Sequence, residues 1–308
     1  MKIIFMGTPE FAVPTLEYLY KKNYNIPLVI TQTDKRKGRG KKTHFNPVKQ
    51  KALDLNIEVY QPEDVNSEES VAKIKEYKPD FIVVVAYGQI LKGSILKIPK
   101  YDCLNIHASL LPHYRGAAPI NWVIINGEKE TGVTIMKMAE GLDSGDMIIK
   151  KAIQITDNDD STTIHDRLSK LGSELIMEAI DLIVSKRVVY TPQKDEESSY
   201  APKLSKELGK IDWSKSGRDI QRLVKGLKPW PMAYTNYKGQ QVKIHEISSE
   251  LKENNEEFGF IDKVSNDGIR VAVKDGYVII KKLQFPGKKA MDIKTFLMGN
   301  QIEEGYIL

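Results

Sequence analysis

Residues 80–87 read DFIVVVAY, and this stretch of sequence decides the fold. Residues 81–86 are apolar without a break and rich in β-branched side chains, with Asp80 before them and Gly88 shortly after. A short run of this kind predicts a strand that is buried on both faces. Such strands belong to parallel sheets that carry helices on both sides.

Similar apolar strands are predicted on either side of this run, namely KIIFM at 2–6, NIPLVITQ at 25–32 and DCLNIH at 102–107. Helical segments are predicted between them, near residues 10–20, 46–55 and 67–77. In the turn after the first strand, Thr8 is the predicted N-cap and Pro9 the first helical residue. The alternation predicts an α/β domain with a Rossmann-like, mostly parallel sheet, which binds ligands at the carboxyl ends of its strands.

The second half of the chain has a different pattern. Residues 190–206 are polar and interrupted by proline, which predicts a linker. After a short helix near 216–226, the runs QVKIHEI, GFIDKV, IRVAV and YVIIKKL predict short strands separated by Gly, Asn and Asp turns. This spacing indicates a small antiparallel, OB-like β-barrel. We therefore predict an α/β domain at 1–189, a linker at 190–206 and the barrel at 207–308.

Composition excludes several classes of protein. The chain has 308 residues, 41% of them hydrophobic, but no run of 18 apolar residues that would predict a membrane span. The N-terminus lacks the apolar region and cleavage site of a signal peptide, so we predict a cytoplasmic protein. The single cysteine, Cys103, rules out an internal disulfide framework and a cysteine-rich zinc site. A monomer is the default expectation for the oligomeric state.

The net charge of +5 is distributed very unevenly. Residues 35–51 read KRKGRGKKTHFNPVKQK and carry +8, residues 205–308 carry +4, and the remainder carries −7. A run of cations is typical of a solvated surface, but glycine breaks within this one favour an arm that reaches phosphates. Because the run follows the second strand, it is predicted at the ligand-binding edge of the sheet.

Asn105 and His107 are the polar exceptions on an apolar strand. Side chains two residues apart on a strand share a face, and both lie at the predicted carboxyl end. An amide donor beside an imidazole suits stabilisation of an oxyanion next to a proton-transfer group. The dinucleotide pattern GxGxxG and the P-loop pattern GxxxxGK[ST] are both absent, so NAD and ATP have no support from motifs.

The stretch NIHASLLPHYRGAAPINWVIINGEKETGVTIM at 105–136, followed by LDSGD at 142–146, resembles the folate-dependent formyltransferase family. Its pattern is Asn-x-His-x-Ser-Leu-Leu-Pro, with an aspartate about 35 residues later that is Asp143 here. The segments FMGTPEFAVPTL at 5–16, GRGKK at 38–42 and YAPKLSKELGKIDW at 200–213 resemble the branch of that family that acts on initiator tRNA.

The resemblance implies a role for each matching residue. Asn105, His107 and Asp143 match the catalytic triad. The matching folate-binding loop consists of Ser109, Leu110, Leu111 and Pro112, and the segment flanking the folate pocket contains Tyr87, Gly88, Gln89 and Ile90. Arg39 matches a basic loop that approaches the tRNA acceptor end, together with Arg36, Lys37, Lys41 and Lys42.

The reaction implied by the resemblance is transfer of the formyl group of 10-formyltetrahydrofolate to the α-amine of methionyl initiator tRNA, with no metal. A sugar-nucleotide N-formyltransferase is an alternative, although it does not need the +8 segment. A purine formyltransferase fits less well, because such enzymes usually lack the second domain. A non-catalytic tRNA-binding module is a further alternative, against which the intact triad argues.

Overall fold

The computed structural model describes residues 1–37 and 42–308, and the side chains of 35–43 are not described. Contacts between Cα atoms divide the chain into two units. The first consists of Met1–Pro119, Glu130–Gln154 and His165–Ala201, and the second of Ile120–Lys129, Ile155–Ile164 and Pro202–Leu308. Two segments from the middle of the chain therefore belong to the same unit as its C-terminal third.

Up to residue 201, the described part of the chain contains eleven strands. They are β1 Lys2–Gly7, β2 Asn25–Ile30, β3 Lys35–Lys37, β4 Lys42–His44, β5 Glu58–Tyr60, β6 Phe81–Val85, β7 Cys103–His107, β8 Arg115–Gly116, β9 Glu130–Lys137, β10 Met147–Gln154 and β11 Tyr200–Ala201. The α-helices of the same stretch are α1 Val13–Lys21, α2 Pro47–Asp54, α3 Glu68–Glu76, α4 Gly93–Leu96, α5 Pro119–Ile125 and α6 Ser161–Val184.

The main sheet has the order β10-β9-β7-β6-β1-β2-β5. Its strands from β7 to β5 are parallel, whereas β9 runs antiparallel to both of its neighbours, β7 and β10. This confirms the predicted Rossmann-like, mostly parallel sheet. All five residues of β6 are buried, as expected for a central strand with helices on both sides.

The chain first builds outward from β1 to β2 and β5, and then continues on the other side of β1 with β6. Such a switch in strand order leaves a crevice at the carboxyl ends of the two central strands. Here the Thr8 hydroxyl, after β1, donates to the Tyr87 carbonyl after β6, at 2.8 Å. The prediction that Thr8 caps the first helix was wrong, because this hydroxyl is used between strands and α1 begins only at Val13.

Helices α2 and α3 each begin after a residue whose side chain caps the first turn. The Asn46 side chain accepts a hydrogen bond from the Lys49 amide at the start of α2. Ser67 accepts from the Ser70 amide at the start of α3. Each cap satisfies an amide that the first turn of a helix leaves without a partner.

The second unit is built on an antiparallel sheet, which confirms the predicted class of the C-terminal domain. Its strands are β12 Ala233–Tyr237, β13 Gln240–Leu251, β14 Ile261–Ser265, β15 Gly268–Val273, β16 Gly276–Gln284 and β17 Met291–Asp292. They pair in the order β12-β13-β16-β15-β14, with β17 beside β16. Helix α7 (Gly217–Gly226) packs Ile220 and Val224 into the core of this sheet, and α8 (Ile293–Leu297) adds Phe296.

Candidate active site

Strand β7 carries two polar side chains into an apolar environment. It lies between β6, to which it is parallel, and β9, to which it is antiparallel. Asn105 and His107 share a face of the strand and are only 8% and 5% exposed. Within the described residues the Asn105 amide has no hydrogen-bond partner, so its N–H groups remain available to a ligand.

The orientation of the His107 ring is fixed by a backbone carbonyl. Its Nε2 lies 3.0 Å from the Tyr114 carbonyl oxygen, which can only accept, so Nε2 carries the hydrogen. Nδ1 then faces the carboxylate of Asp143, with 3.6 Å between Nδ1 and Oδ2. That separation is too long for a hydrogen bond, but it suits an ion pair with a protonated ring.

Asp143 lies in the turn between β9 and β10, at a backbone φ of +47°. Its Oδ2 accepts a hydrogen bond of 2.8 Å from the Gly116 amide, which holds the carboxylate beside His107. Two residues later, a Cβ on Gly145 would lie 1.8 Å from the Lys137 carbonyl oxygen. Only glycine fits there, so the turn is packed directly against the end of β9.

The predicted folate loop begins beside His107 and is anchored to β9. Thr134, which pairs with His107 across the two strands, is completely buried. Its hydroxyl donates to the Ser109 carbonyl at 2.7 Å and accepts from the Leu111 amide at 3.1 Å. Ser109 also donates to the His113 carbonyl at 2.6 Å. The backbone of this loop is therefore fixed, while Leu110 packs against Gly132 of β9 and Pro112 is buried.

The other predicted folate segment follows β6. Tyr87 is 2% exposed and packs in the core, where burial raises the pKa of its hydroxyl. Gly88 has φ +98°, a conformation that favours glycine. The Gln89 side chain accepts from the Val65 amide at 2.9 Å and donates to the Glu63 carbonyl at 3.1 Å, which ties the segment to the loop after β5. Ile90, by contrast, is 72% exposed.

The predicted tRNA-binding residues follow β2. Strands β3 and β4 form a two-stranded antiparallel hairpin whose backbone contains Arg36, Lys37 and Lys42. Arg39 and Lys41 lie outside the described residues.

The residues that border this hairpin are well anchored. Lys49 forms an ion pair with Asp34 and donates to Gln61 Oε1 at 2.7 Å, while Gln61 Nε2 donates to the Gln32 carbonyl at 2.7 Å. Burial acts to raise the pKa of Asp34, but the hydrogen bonds from Lys49 and Gln61 outweigh it and leave this pKa below its ordinary value.

Four contributors to the site were missed by sequence reasoning. Two are backbone groups, the Tyr114 carbonyl and the Gly116 amide, which no residue type reveals. Thr134 is a polar residue on a buried strand, which could have drawn attention by the same argument as Asn105. Gln193 lies in the predicted linker, and its contacts with the Asp143 turn have no signal in the sequence.

Within residues 1–37 and 42–308, no group of three or more His, Cys, Asp or Glu side chains is arranged to hold a metal ion. No helix in the same residues is both long and apolar enough to span a membrane.

Comparison with known proteins identifies the class that this fold and site define. Residues 1–180 match the formyl transferase family, and residues 203–301 match the formyl transferase C-terminal domain. The chain is also 51% identical over 311 residues to the methionyl-tRNA formyltransferase of Clostridium tetani, covering 100% of this chain and 99% of the relative. The chain therefore belongs to the methionyl-tRNA formyltransferase family of formyl-transferring enzymes.

Solved structures show the same fold at lower identity. The sugar 3N-formyl transferase WlaRD, solved with dTDP and 5-N-formyl-THF, matches with a TM-score of 0.67 and 24% identity over 94% of this chain and 99% of that one. HypX from Aquifex aeolicus, in complex with tetrahydrofolic acid, matches with a TM-score of 0.67 and 19% identity. The match covers 97% of this chain but 47% of HypX, so the chain spans about half the length of that protein.

Proposed function

We propose that this chain transfers the formyl group of 10-formyltetrahydrofolate to the α-amine of methionyl initiator tRNA, producing N-formylmethionyl-tRNA for translation initiation. The observation that carries the proposal is the convergence of Asn105, His107 and Asp143 at the carboxyl edge of the sheet, with 3.6 Å between His107 and Asp143. The 51% identity to a methionyl-tRNA formyltransferase over the whole chain supports the choice of acceptor.

The chemistry assigns a task to each of these residues. The amine, whose ordinary pKa is about 8, attacks the formyl carbon, and an oxyanion develops on the formyl oxygen. The unpartnered amide of Asn105 donates to that oxyanion, a donor of this kind being worth roughly 3–4 kcal/mol of transition-state stabilisation. A protonated His107, whose ring N–H groups face the Tyr114 carbonyl and Asp143, supplies a positive charge that stabilises the oxyanion electrostatically. Asp143 pairs with the charged ring and relays the proton that leaves the amine, directly or through water.

The bonds and protons balance without a covalent enzyme intermediate. A bond forms between the amine nitrogen and the formyl carbon, and the bond from that carbon to N10 of the folate breaks. The proton lost by the amine is taken up by N10. No step in this sequence requires a metal ion.

The family uses a folate-derived formyl donor, and we propose 10-formyltetrahydrofolate specifically, bound by two segments. The loop of Ser109, Leu110, Leu111 and Pro112 begins next to His107 and is fixed by Thr134. The segment from Tyr87 to Ile90 lies at the end of the neighbouring parallel strand, so both segments reach the same edge of the sheet. The exposed Ile90 offers an apolar surface there.

We propose the basic segment at 35–51 as the part of this domain that meets tRNA. Its +8 charge suits a phosphate backbone, and it follows β2 at the ligand-binding edge of the sheet. The half-buried network of Asp34, Lys49 and Gln61 anchors one end of the segment. Within it, Arg36, Lys37, Arg39, Lys41 and Lys42 are the proposed tRNA contacts.

Sugar-nucleotide N-formyl transfer is the second candidate, because WlaRD shares the fold. The two are separated by supplying labelled 10-formyltetrahydrofolate with charged initiator tRNA, free methionine or an amino-sugar nucleotide. Label on the tRNA alone is the expected result. Label on the sugar nucleotide instead would overturn the proposed acceptor, and no label on any acceptor would favour a non-catalytic tRNA-binding protein.

Single substitutions test the proposed catalytic residues. Asn105→Ala, His107→Ala and Asp143→Ala are each expected to lower kcat by roughly 100–1,000-fold, the loss typical of removing one group that stabilises the transition state. Melting temperatures measured alongside the formylation rates are expected to change little. Near-normal rates in all three variants would contradict the assignment.

We further propose that the protein acts as a monomer in the cytoplasm, where charged tRNA is found.

A further inference from the structure

The segment from Tyr190 to Ala201 returns along the first unit after helix α6. Thr191 pairs with Met147 at the start of β10, and β11 pairs with β8. The Tyr190 hydroxyl donates to the buried carboxylate of Asp102 at 2.5 Å, which anchors the start of the segment. The residues predicted as the first part of a linker are thus bonded to the unit that contains His107.

Within this segment, both side-chain N–H groups and the side-chain oxygen of Gln193 are hydrogen-bonded. Its Nε2 donates to the Asp143 carbonyl at 2.8 Å and to the Gly145 carbonyl at 2.7 Å. Its Oε1 accepts from Arg115 Nε at 2.9 Å. A second bond from Arg115, to Asp195 at 2.9 Å, holds the guanidinium in place.

These bonds join two segments that position the Asp143 carboxylate. One is the turn containing Asp143 and Gly145, and the other contains Arg115 and Gly116. The Gly116 amide donates to Asp143 Oδ2, the same oxygen that faces His107. Because the Gln193 amide bonds both to Arg115 of β8 and to the Asp143 turn, it fixes the carboxylate relative to its donor, the Gly116 amide.

The backbone of the turn needs such support. Asp143 has φ +47°, which costs a non-glycine residue energy, and such conformations persist only where the surroundings impose them. The Gly145 side of the turn is pressed against the end of β9. Gln193 supplies the restraint through the two carbonyl groups that flank Ser144.

We propose that Gln193 is a positioning residue for formyl transfer, acting through Asp143. This inference rests on the proposed function, since it gives Gln193 a part in the same reaction. A side chain from outside the motif thereby sets the separation between Asp143 and His107. If Gln193 only stabilised the fold, its substitution would lower activity by the same factor whether or not the Asp143 carboxylate were present.

Gln193→Glu tests this role with nearly unchanged shape. The glutamate keeps an acceptor for Arg115 but loses both donors and directs carboxylate oxygen at two carbonyl groups. We expect kcat to fall about 10–100-fold, with KM for the folate donor and for tRNA within about twofold of wild type. Gln154→Glu, the same change at an exposed position of β10, is the matched control and is expected to leave both constants unchanged.

A double-mutant cycle with Asp143→Asn distinguishes positioning from general stabilisation. If Gln193 acts through the carboxylate, adding Gln193→Glu to Asp143→Asn lowers kcat by less than about twofold further. Losses that multiply in the double variant, or an unchanged kcat in Gln193→Glu alone, would overturn the inference.

If Gln193→Glu melts below the assay temperature, Gln193→Met, which keeps the side-chain length without charge, takes its place in the cycle. The wild-type chain is assayed first, because failure to formylate methionyl-tRNA would contradict the proposed function and not the role of Gln193.

Discussion

Replacing Thr134 by valine should loosen the loop that follows His107. Thr134 is completely buried on β9, and its hydroxyl bonds to both the Ser109 carbonyl and the Leu111 amide. Valine has nearly the same shape but no hydroxyl, so the substitution leaves one buried acceptor and one buried donor without a partner. The change therefore removes hydrogen bonds without creating a cavity.

The size of the effect follows from the number of orphaned groups. Each buried polar group left unsatisfied costs roughly 1–3 kcal/mol, so with two such groups we expect Thr134→Val to lower the free energy of unfolding by roughly 2–6 kcal/mol. For a unit of about 180 residues this corresponds to a fall in melting temperature of about 4–24 °C. Because the backbone of residues 109–112 loses its anchor, KM for the folate donor should rise.

Thr131 provides a matched control on the same strand. It is 1% exposed, and its hydroxyl is buried with no hydrogen-bond partner in the described part of the chain. Thr131→Val removes an unpaired hydroxyl and should leave stability unchanged or raise it slightly. Urea unfolding followed by circular dichroism, with m-values compared, measures both variants. Equal losses in the two variants, or a Thr134→Val stability within about 0.5 kcal/mol of wild type, would refute the reasoning.

Two further predictions concern a half-buried ion pair and a buried thiol in the first unit. Lys49→Met leaves the Asp34 carboxylate, which is 13% exposed, without its cation, and should lower the free energy of unfolding by roughly 2–4 kcal/mol at pH 7. Lys51→Met on the same helix is the control. Its partner Glu17 is 32% exposed, so the loss should be less than about 1 kcal/mol. Because the pKa of Asp34 is lower in the folded than in the unfolded chain, the ionised carboxylate stabilises the fold fully above its unfolded pKa, and this contribution is lost as the pH falls below about 4. Plots of the free energy of unfolding against pH for wild type and Lys49→Met should therefore converge at low pH. Parallel plots would contradict this. Burial, together with the neighbouring Asp102, raises the pKa of the Cys103 thiol, so a thiol reagent at pH 8 should label one cysteine in the unfolded chain and none in the folded one.

The features that could be predicted from the sequence are those determined by the pattern of apolar and polar residues close together in the chain. The apolar run at 81–85 became β6, and alternation along β7 correctly placed Asn105 and His107 on one face. Both predictions depend only on the order of residues within a few positions of one another, a continuous apolar run for β6 and alternation for β7. The caps at Asn46 and Ser67 have the same local origin.

Long-range contacts could not be predicted in this way. The spacing between His107 and Asp143 does not show that β9 returns antiparallel to β7 and brings the turn back to the ring, and only the family resemblance connected them. The prediction for Thr8 failed because a hydroxyl that fits a cap also fits the carbonyl of a neighbouring strand. The segments 120–129 and 155–164 likewise belong with the C-terminal unit through contacts distant in sequence.

The three proposed catalytic side chains differ in how many hydrogen bonds from the protein restrain them, and this difference matches their proposed roles. His107 is fixed at both ends, by its strand and by the Tyr114 carbonyl, so the ring presents one nitrogen to Asp143. Asp143 is on a turn, where a strand alone cannot position it, and the Gly116 amide supplies the missing restraint. Asn105 has a rigid backbone and a free amide, which leaves its donors for an oxygen that exists only when substrate is bound. A site for charge that develops during the reaction needs this combination, because donors already satisfied by the protein cannot stabilise the transition state more than the ground state.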